Sequence, residues 1–150
     1  MIAWNIYLKY GNFKSTHGIE LPFKWEFDRL ETEEGDKVII LTSVLSACLL
    51  NDLIVIHTVH PKELEKYAKA IYYPQTNLIE KQSGDLGKYI IYDDVITTGK
   101  SILKCIEKIG YAPEFCLCII DRRFETQKEI LNLSQNLKVI SIKRDLLGGF

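Results

Sequence analysis

Aliphatic runs and helix-like spacings alternate along most of this chain. Leu53-Ile54-Val55-Ile56 is unbroken and apolar, the pattern of a strand buried on both faces. Pro61 then opens a helical spacing predicted over residues 61–70, with proline in the first turn, where its missing N–H is tolerated. Tyr89-Ile90-Ile91-Tyr92 predicts the next strand, and 100–109 a helix stopped by Gly110. A strand over 115–120, a helix over 126–133 and a strand over 138–142 complete the series. Residues 37–50 carry mixed signals. Val38, Leu41, Leu45 and Cys48 recur at spacings of three and four, which favours helix, whereas Val38-Ile39-Ile40 favours strand; helix is the expectation. The alternation predicts an α/β fold, a central and mainly parallel sheet flanked by helices and joined by right-handed crossovers. In such sheets ligands bind beyond the carboxyl ends of the strands.

The acidic cluster Glu31-Thr32-Glu33-Glu34-Gly35-Asp36 is predicted to be a solvated turn between an N-terminal piece, residues 1–30, and a core, residues 37–150. It is too short for an interdomain linker, so the expectation is one domain. The length of 150 residues suits a single hydrophobic core. With 47% hydrophobic and 26% charged residues the composition excludes disordered and disulfide-scaffold classes. Nineteen Lys+Arg against 20 Asp+Glu, net charge −1, offer no bulk attraction to nucleic acid or to an anionic membrane. Cys48, Cys105, Cys116 and Cys118 lack metal-type spacing and read as buried free thiols of a reducing cytoplasm. No apolar run approaches the ~20 residues that span a bilayer, and no signal-peptide pattern opens the chain.

The chemistry concentrates after Tyr92. Asp93 and Asp94 are followed by Val95-Ile96-Thr97-Thr98-Gly99-Lys100-Ser101, and then a helix begins. The backbone N–H groups of such a loop, with the positive end of the helix dipole, form a phosphate cradle. Thr97, Thr98 and Ser101 add hydroxyls, and Gly99 lets the backbone approach an anion closely. Two carboxylates directly before the cradle suit a ligand with vicinal hydroxyls beside a phosphate, as in a ribose 5-phosphate. A nucleoside-triphosphate P-loop is excluded: Gly99-Lys100-Ser101 fits the end of that motif, but its first glycine falls on Asp94.

The stretch from Ile90 to Ser101 resembles the phosphoribosyl-pyrophosphate (PRPP) motif of the type I phosphoribosyltransferases, and Asp93 to Gly99 is especially similar to the orotate enzymes. Asp121-Arg122-Arg123-Phe124-Glu125 resembles the element after their next strand, and Lys138 to Leu146 their last strand and turn. Leu8 to Phe13, with Gly18 and Pro22, loosely resembles the hood that covers the base, which makes residues 1–30 a hood segment. The resemblance implies that the chain transfers 5-phosphoribosyl from PRPP to a pyrimidine base, orotate, releasing pyrophosphate. Asp93 and Asp94 would hold the ribose hydroxyls or the metal-bound sugar, and Val95, Ile96, Thr97, Thr98, Gly99, Lys100 and Ser101 the 5-phosphate. Thr97, Arg122 and Trp25 would meet the base, Arg122 pairing its carboxylate through two parallel bonds. Magnesium would arrive bound to PRPP, with no direct protein ligand, and a cytoplasmic homodimer is implied.

Three departures set the chain apart. Where the family has a strained small-residue loop for pyrophosphate, this chain has His57-Thr58-Val59-His60-Pro61, with no glycine. The family's basic mobile loop is reduced to residues 77–88, with Lys81 and Lys88, and Lys62 and Lys81 are the lysines that would have to converge on the site. The hood's Lys-Ser-Gly is read as Thr16-His17-Gly18, without its lysine. All three weaken the pyrophosphate side, which leaves a second expectation: a weak or inactive PRPP- or nucleotide-binding regulator of the same fold, with His57 and His60 as a substitute anion or metal site.

Overall fold

The computed structural model describes residues 2–14, 20–82, 84–122 and 137–147. A six-stranded sheet forms its centre, built from β3 (Asp52–Ile56), β4 (Ala68–Tyr73), β5 (Leu78–Lys81), β6 (Tyr89–Ile96), β7 (Cys116–Asp121) and β8 (Val139–Ser141). The spatial order is β5-β4-β3-β6-β7-β8. All neighbours are parallel except β4 and β5, which form an antiparallel hairpin.

Helix α1 (Glu34–Ala47) lies on one face and α2 (Lys100–Ile109) on the other, and the strands feed both layers in alternation. Leu53 and Val55 of β3, with Ile90 and Tyr92 of β6, pack into the layer that holds Ile40 and Val44 of α1. Ile54, Ile56, Tyr89 and Ile91 pack into the layer that holds Ile102 and Cys105 of α2. That two-sided burial is why the runs are unbroken in sequence. Cys105, Cys116 and Cys118 are buried free thiols and Cys48 a half-buried one. Burial pushes the Cys48 and Cys105 thiols up to about 12, which keeps them protonated and unreactive.

The N-terminal piece is a small hairpin, β1 (Leu8–Lys14) against β2 (Glu20–Trp25), flanked by 3-10 turns at Trp4–Tyr7 and Asp28–Glu31. Tyr7 and Phe27 stack at 4.9 Å within the α1-side core, and the Tyr7 hydroxyl donates to Asp36 at 2.7 Å. The hairpin is thereby anchored to the helix that follows it.

Five expectations need correction. The helix over 61–70 is a 3-10 turn at Lys62–Tyr67 followed directly by β4, and alternate residues of that strand, Ala68, Ala70 and Tyr72, are buried. The span 77–88 is not one long loop: it contains β5, joined to β4 by the four-residue turn 74–77. The acidic cluster is not a free turn, because α1 starts inside it at Glu34. The strand at Tyr89 does not end at Tyr92 but runs on to Ile96, so the acidic doublet belongs to β6 itself. Residues 138–142 shorten to β8, with Ile142 opening a π-helical turn to Leu146. The helix expected over 126–133 lies outside the described residues, as do Thr16, His17 and Gly18.

Candidate functional site

Register fixes the doublet. Asp93 pairs with Cys118 of β7, and pairing resumes at Val95 and Ile96, so the carboxyls sit at the carboxyl end of a central strand. Asp93 is only 6% exposed and Asp94 is half-buried. Asp93 Oδ1 accepts the N–H of Asp94 at 2.8 Å, and Asp94 Oδ1 that of Val95 at 2.7 Å. Burial, then the neighbouring Asp94 charge, raises the Asp93 pKa well above the carboxylate range; burial also raises that of Asp94. The nearby Thr58 hydroxyl pulls both the other way. Two acids this close and this dry share a proton rather than ionise together.

After Ile96 the chain bends through 97–99 and α2 begins at Lys100. Gly99 holds φ +86°, the left-handed conformation that a side chain disfavours, and this is what turns the loop into the helix. The N–H groups of Thr97, Thr98 and Gly99 donate to no group among the described residues. These three residues line the cleft just before the first turn of α2. Thr98 Oγ1 accepts the Lys100 N–H at 3.2 Å and steadies the bend. Val95's own N–H is spent on Asp94 and that of Lys100 on Thr98, so neither of these expected cradle residues offers its amide.

One open cleft of about 260 Å³ gathers the residues expected to meet PRPP and the base: Asp93 through Ser101, Arg122 and Trp25. Arg122 follows β7 and is 1% exposed. Its Nη1 donates to the Phe23 carbonyl at 2.9 Å, and the guanidinium lies 4.2 Å from the Phe23 ring. It is therefore both a cleft wall and the staple that holds the hairpin over the sheet. Trp25 is half-buried and parallel to Phe27 (9°, 6.4 Å), with its indole N–H unpartnered among the described residues.

The cleft also contains residues that sequence reasoning missed. Lys14 and Lys24 reach it from the hairpin, beside Phe13, and Thr58 from the loop after β3. Thr16, His17 and Gly18 lie outside the described residues, but Lys14, two positions before Thr16, lines the cleft. A lysine ending a strand just before the hood turn was the available signal. Conversely, Lys62 and Lys81 do not line the cleft. His57 lines it, with its ring 4.7 Å from Tyr73. His60 does not; it is buried, and its Nδ1 lies 2.8 Å from the Thr58 carbonyl, to which it donates. The two histidines therefore do not form a joint site. No residue from 57 to 61 has left-handed backbone; Asn77 is the one non-glycine residue that does among those described. Among the described residues no three His, Cys, Asp or Glu side chains are placed to hold a metal ion. The hard oxygen donors facing the cleft are Asp93 and Asp94, which suit a magnesium ion carried by an oxyanion ligand. No helix among the described residues is long and apolar enough to cross a membrane.

No protein-family model matches this chain, and no curated protein matches it in sequence. Solved structures do match. The orotate phosphoribosyltransferase of Aeropyrum pernix superposes with a TM-score of 0.60 at 17% identity, over 91% of this chain and 87% of that one. The Mycobacterium tuberculosis orotate phosphoribosyltransferase gives 0.57 at 14%, over 92% and 88%. Adenine phosphoribosyltransferase of Saccharomyces cerevisiae gives 0.52 at 14%, over 93% and 95%. With its mostly parallel six-stranded sheet and the doublet, bend and helix start at one sheet end, the chain has the type I phosphoribosyltransferase fold.

Proposed function

We propose that this chain is an orotate-type phosphoribosyltransferase, joining the 5-phosphoribosyl group of PRPP to a pyrimidine base with release of pyrophosphate. The observation that carries the reading is the meeting, in one cleft, of a buried acidic doublet, a ring of unspent backbone donors at a helix start, and an aromatic–guanidinium wall. In this reading Asp93 and Asp94 accept hydrogen bonds from the ribose 2- and 3-hydroxyls. The amides of Thr97, Thr98 and Gly99, the hydroxyls of Thr97, Thr98 and Ser101, and the α2 dipole hold the 5-phosphate. Lys100 adds charge at its edge, and Val95 and Ile96 set the path of the chain. The base lies against Trp25, with Thr97 and the Arg122 fork reading its polar groups.

The base nitrogen forms a bond to C1 of the ribose while the C1–O bond to pyrophosphate breaks; the electron pair leaves with pyrophosphate, and the proton of the base N–H passes to the solvent. The sugar carries oxocarbenium-like positive charge between the two events. Asp93 and Asp94 would face a magnesium ion carried in on the diphosphate, and when bound that ion would supply positive charge to the leaving oxygens. Lys14, Lys24 and His57 are this chain's cations for the same task. The acids below the ring favour the positive sugar. The resemblance adds a homodimer working in the cytoplasm, which light scattering on the purified chain tests.

The second reading, a PRPP or nucleotide binder without turnover, is favoured by two particulars. The loop at 57–61 has no left-handed backbone with which to wrap a diphosphate, and the β4–β5 turn is four residues where a closing loop would be. Incubating the chain with PRPP, orotate and magnesium and following orotidine monophosphate decides between them. Formation dependent on Asp93 and Asp94 supports the enzyme. Tight PRPP binding with no product over hours displaces it in favour of the binder.

A further inference from the structure

A second hollow, of about 470 Å³, opens at the opposite end of β6 and α2 from the cleft. Its floor is apolar: Ile79 of β5, Leu86 before β6 and Ile109 at the end of α2. Its walls are fixed before any ligand arrives. The Tyr111 hydroxyl donates to the Gly87 carbonyl at 2.7 Å, and its ring stands edge-on to Tyr89 at 5.2 Å and 89°. Lys69 Nζ donates to the carbonyl oxygens of Asp85 at 3.0 Å and Leu86 at 3.5 Å, which holds the opposite wall. At the rim stand Lys81 and Lys108, both exposed.

The charge at that rim is unspent. Lys37 meets Glu34 and Glu63, and Lys69 meets Asp52, but neither Lys81 nor Lys108 has an ion pair or hydrogen bond among the described residues. Against them stands the single carboxylate of Asp85, so the mouth is net positive over an apolar floor. Volumes of roughly 300–1,000 Å³ with few polar groups are those of small-molecule sites. We propose that this hollow is a binding site for an amphiphilic anion: an aromatic or aliphatic body seated on Ile79, Leu86 and Ile109, bearing one carboxylate, sulfonate or phosphate that the two lysines hold. The site shares no lining residue with the cleft and does not depend on the phosphoribosyl reading.

The test uses the full chain and two fluorescent probes of one shape, 8-anilinonaphthalene-1-sulfonate and its uncharged parent, N-phenyl-1-naphthylamine. The sulfonate is expected to bind with one equivalent and at least tenfold more tightly than the neutral probe. Lys81→Gln with Lys108→Gln should remove that preference, and Leu78→Asp, at a side chain already 57% exposed, should weaken both probes. Saturating ribose 5-phosphate should displace neither. Equal affinity of the two probes for the native chain would overturn the proposal. So would undiminished sulfonate binding in the double lysine variant, or displacement by the sugar phosphate. If Lys108 serves only to complement the end of α2, its loss lowers the melting temperature and leaves probe affinity unchanged, which also overturns it.

Discussion

Asp93 is the residue at which stability and chemistry oppose each other. Its folded-state pKa is raised, by burial first and by the Asp94 charge second, so the folded chain holds a proton there that the unfolded chain has released. Stability from this group is full below the ordinary carboxylate pKa and is lost as pH climbs through the raised folded value. Asp93→Asn should therefore raise the melting temperature at pH 7, on the order of 4 °C, and flatten its pH dependence between pH 4 and 8. A sugar diol or a magnesium-bound sugar wants the ionised doublet. Ribose 5-phosphate affinity of the native chain should thus be weakest at acid pH and rise as the pair ionises, with proton release seen as a buffer-dependent calorimetric enthalpy. A variant that melts lower at pH 7, or an affinity flat in pH, would contradict this assignment.

Arg122 carries the second residue-scale prediction, because it serves two masters. Arg122→Lys keeps charge but loses the fork, and should weaken orotate at least tenfold while sparing ribose 5-phosphate. Arg122→Ala also removes the bond to the Phe23 carbonyl, so amide exchange in β2 should quicken. Equal loss for every base, or unchanged exchange, would separate Arg122 from one role or the other. The doublet and its cradle were legible in the sequence because they are contiguous, from Asp93 to Ser101. Thr58, Lys14 and Lys24 were not, since their place at the cleft is decided by how a distant loop and hairpin dock.

At the scale of elements, legibility followed burial. β3, β6 and β7 declared themselves as apolar runs because both faces are covered. β4 did not: Ala68 and Ala70 carry little strand preference, and the Pro61 start with Leu64 mimics a helix. Its extended form is imposed by pairing with β3 and β5, which is tertiary information. β5 is short and exposed, and its turn is closed by the Tyr72 hydroxyl bonded to Asn77 Oδ1 at 2.7 Å, with Asn77 itself at φ +53°. The loop-to-helix bend after β6 rests instead on Gly99, a residue whose role could be read directly. Gly99→Ala forces a side chain into left-handed backbone at a cost of about 1–2 kcal/mol. It should lower the melting temperature by several degrees and weaken phosphate-bearing ligands more than tenfold, while orotate alone is bound as before. Thermal melts and titrations with ribose and ribose 5-phosphate check this; a variant that loses both sugars equally would show that the bend does not serve the phosphate in particular.

Over the whole molecule, the sheet order places β6 at the centre, between β3 and β7, with β3 leading to the hairpin side and β7 to the β8 side. Connections diverge in opposite directions there, and the crevice between them is where an open α/β sheet binds ligands. The N-terminal hairpin closes that crevice from above, held by Arg122 to Phe23 and by Tyr7 to Asp36. The fold is shared with the Aeropyrum pernix structure at 17% identity, and a shared fold leaves the chemistry to the residues of the site. The cleft brings together the doublet, the bend into α2 and the side chains of Lys14, Lys24 and His57. Calorimetric titration of the chain with ribose 5-phosphate therefore goes to the centre of the matter. Saturable one-to-one binding, abolished in Asp93→Asn with Asp94→Asn while the fold persists, is the expected result. A native chain that ignores the sugar phosphate, or a double variant that binds it equally well, would contradict the site.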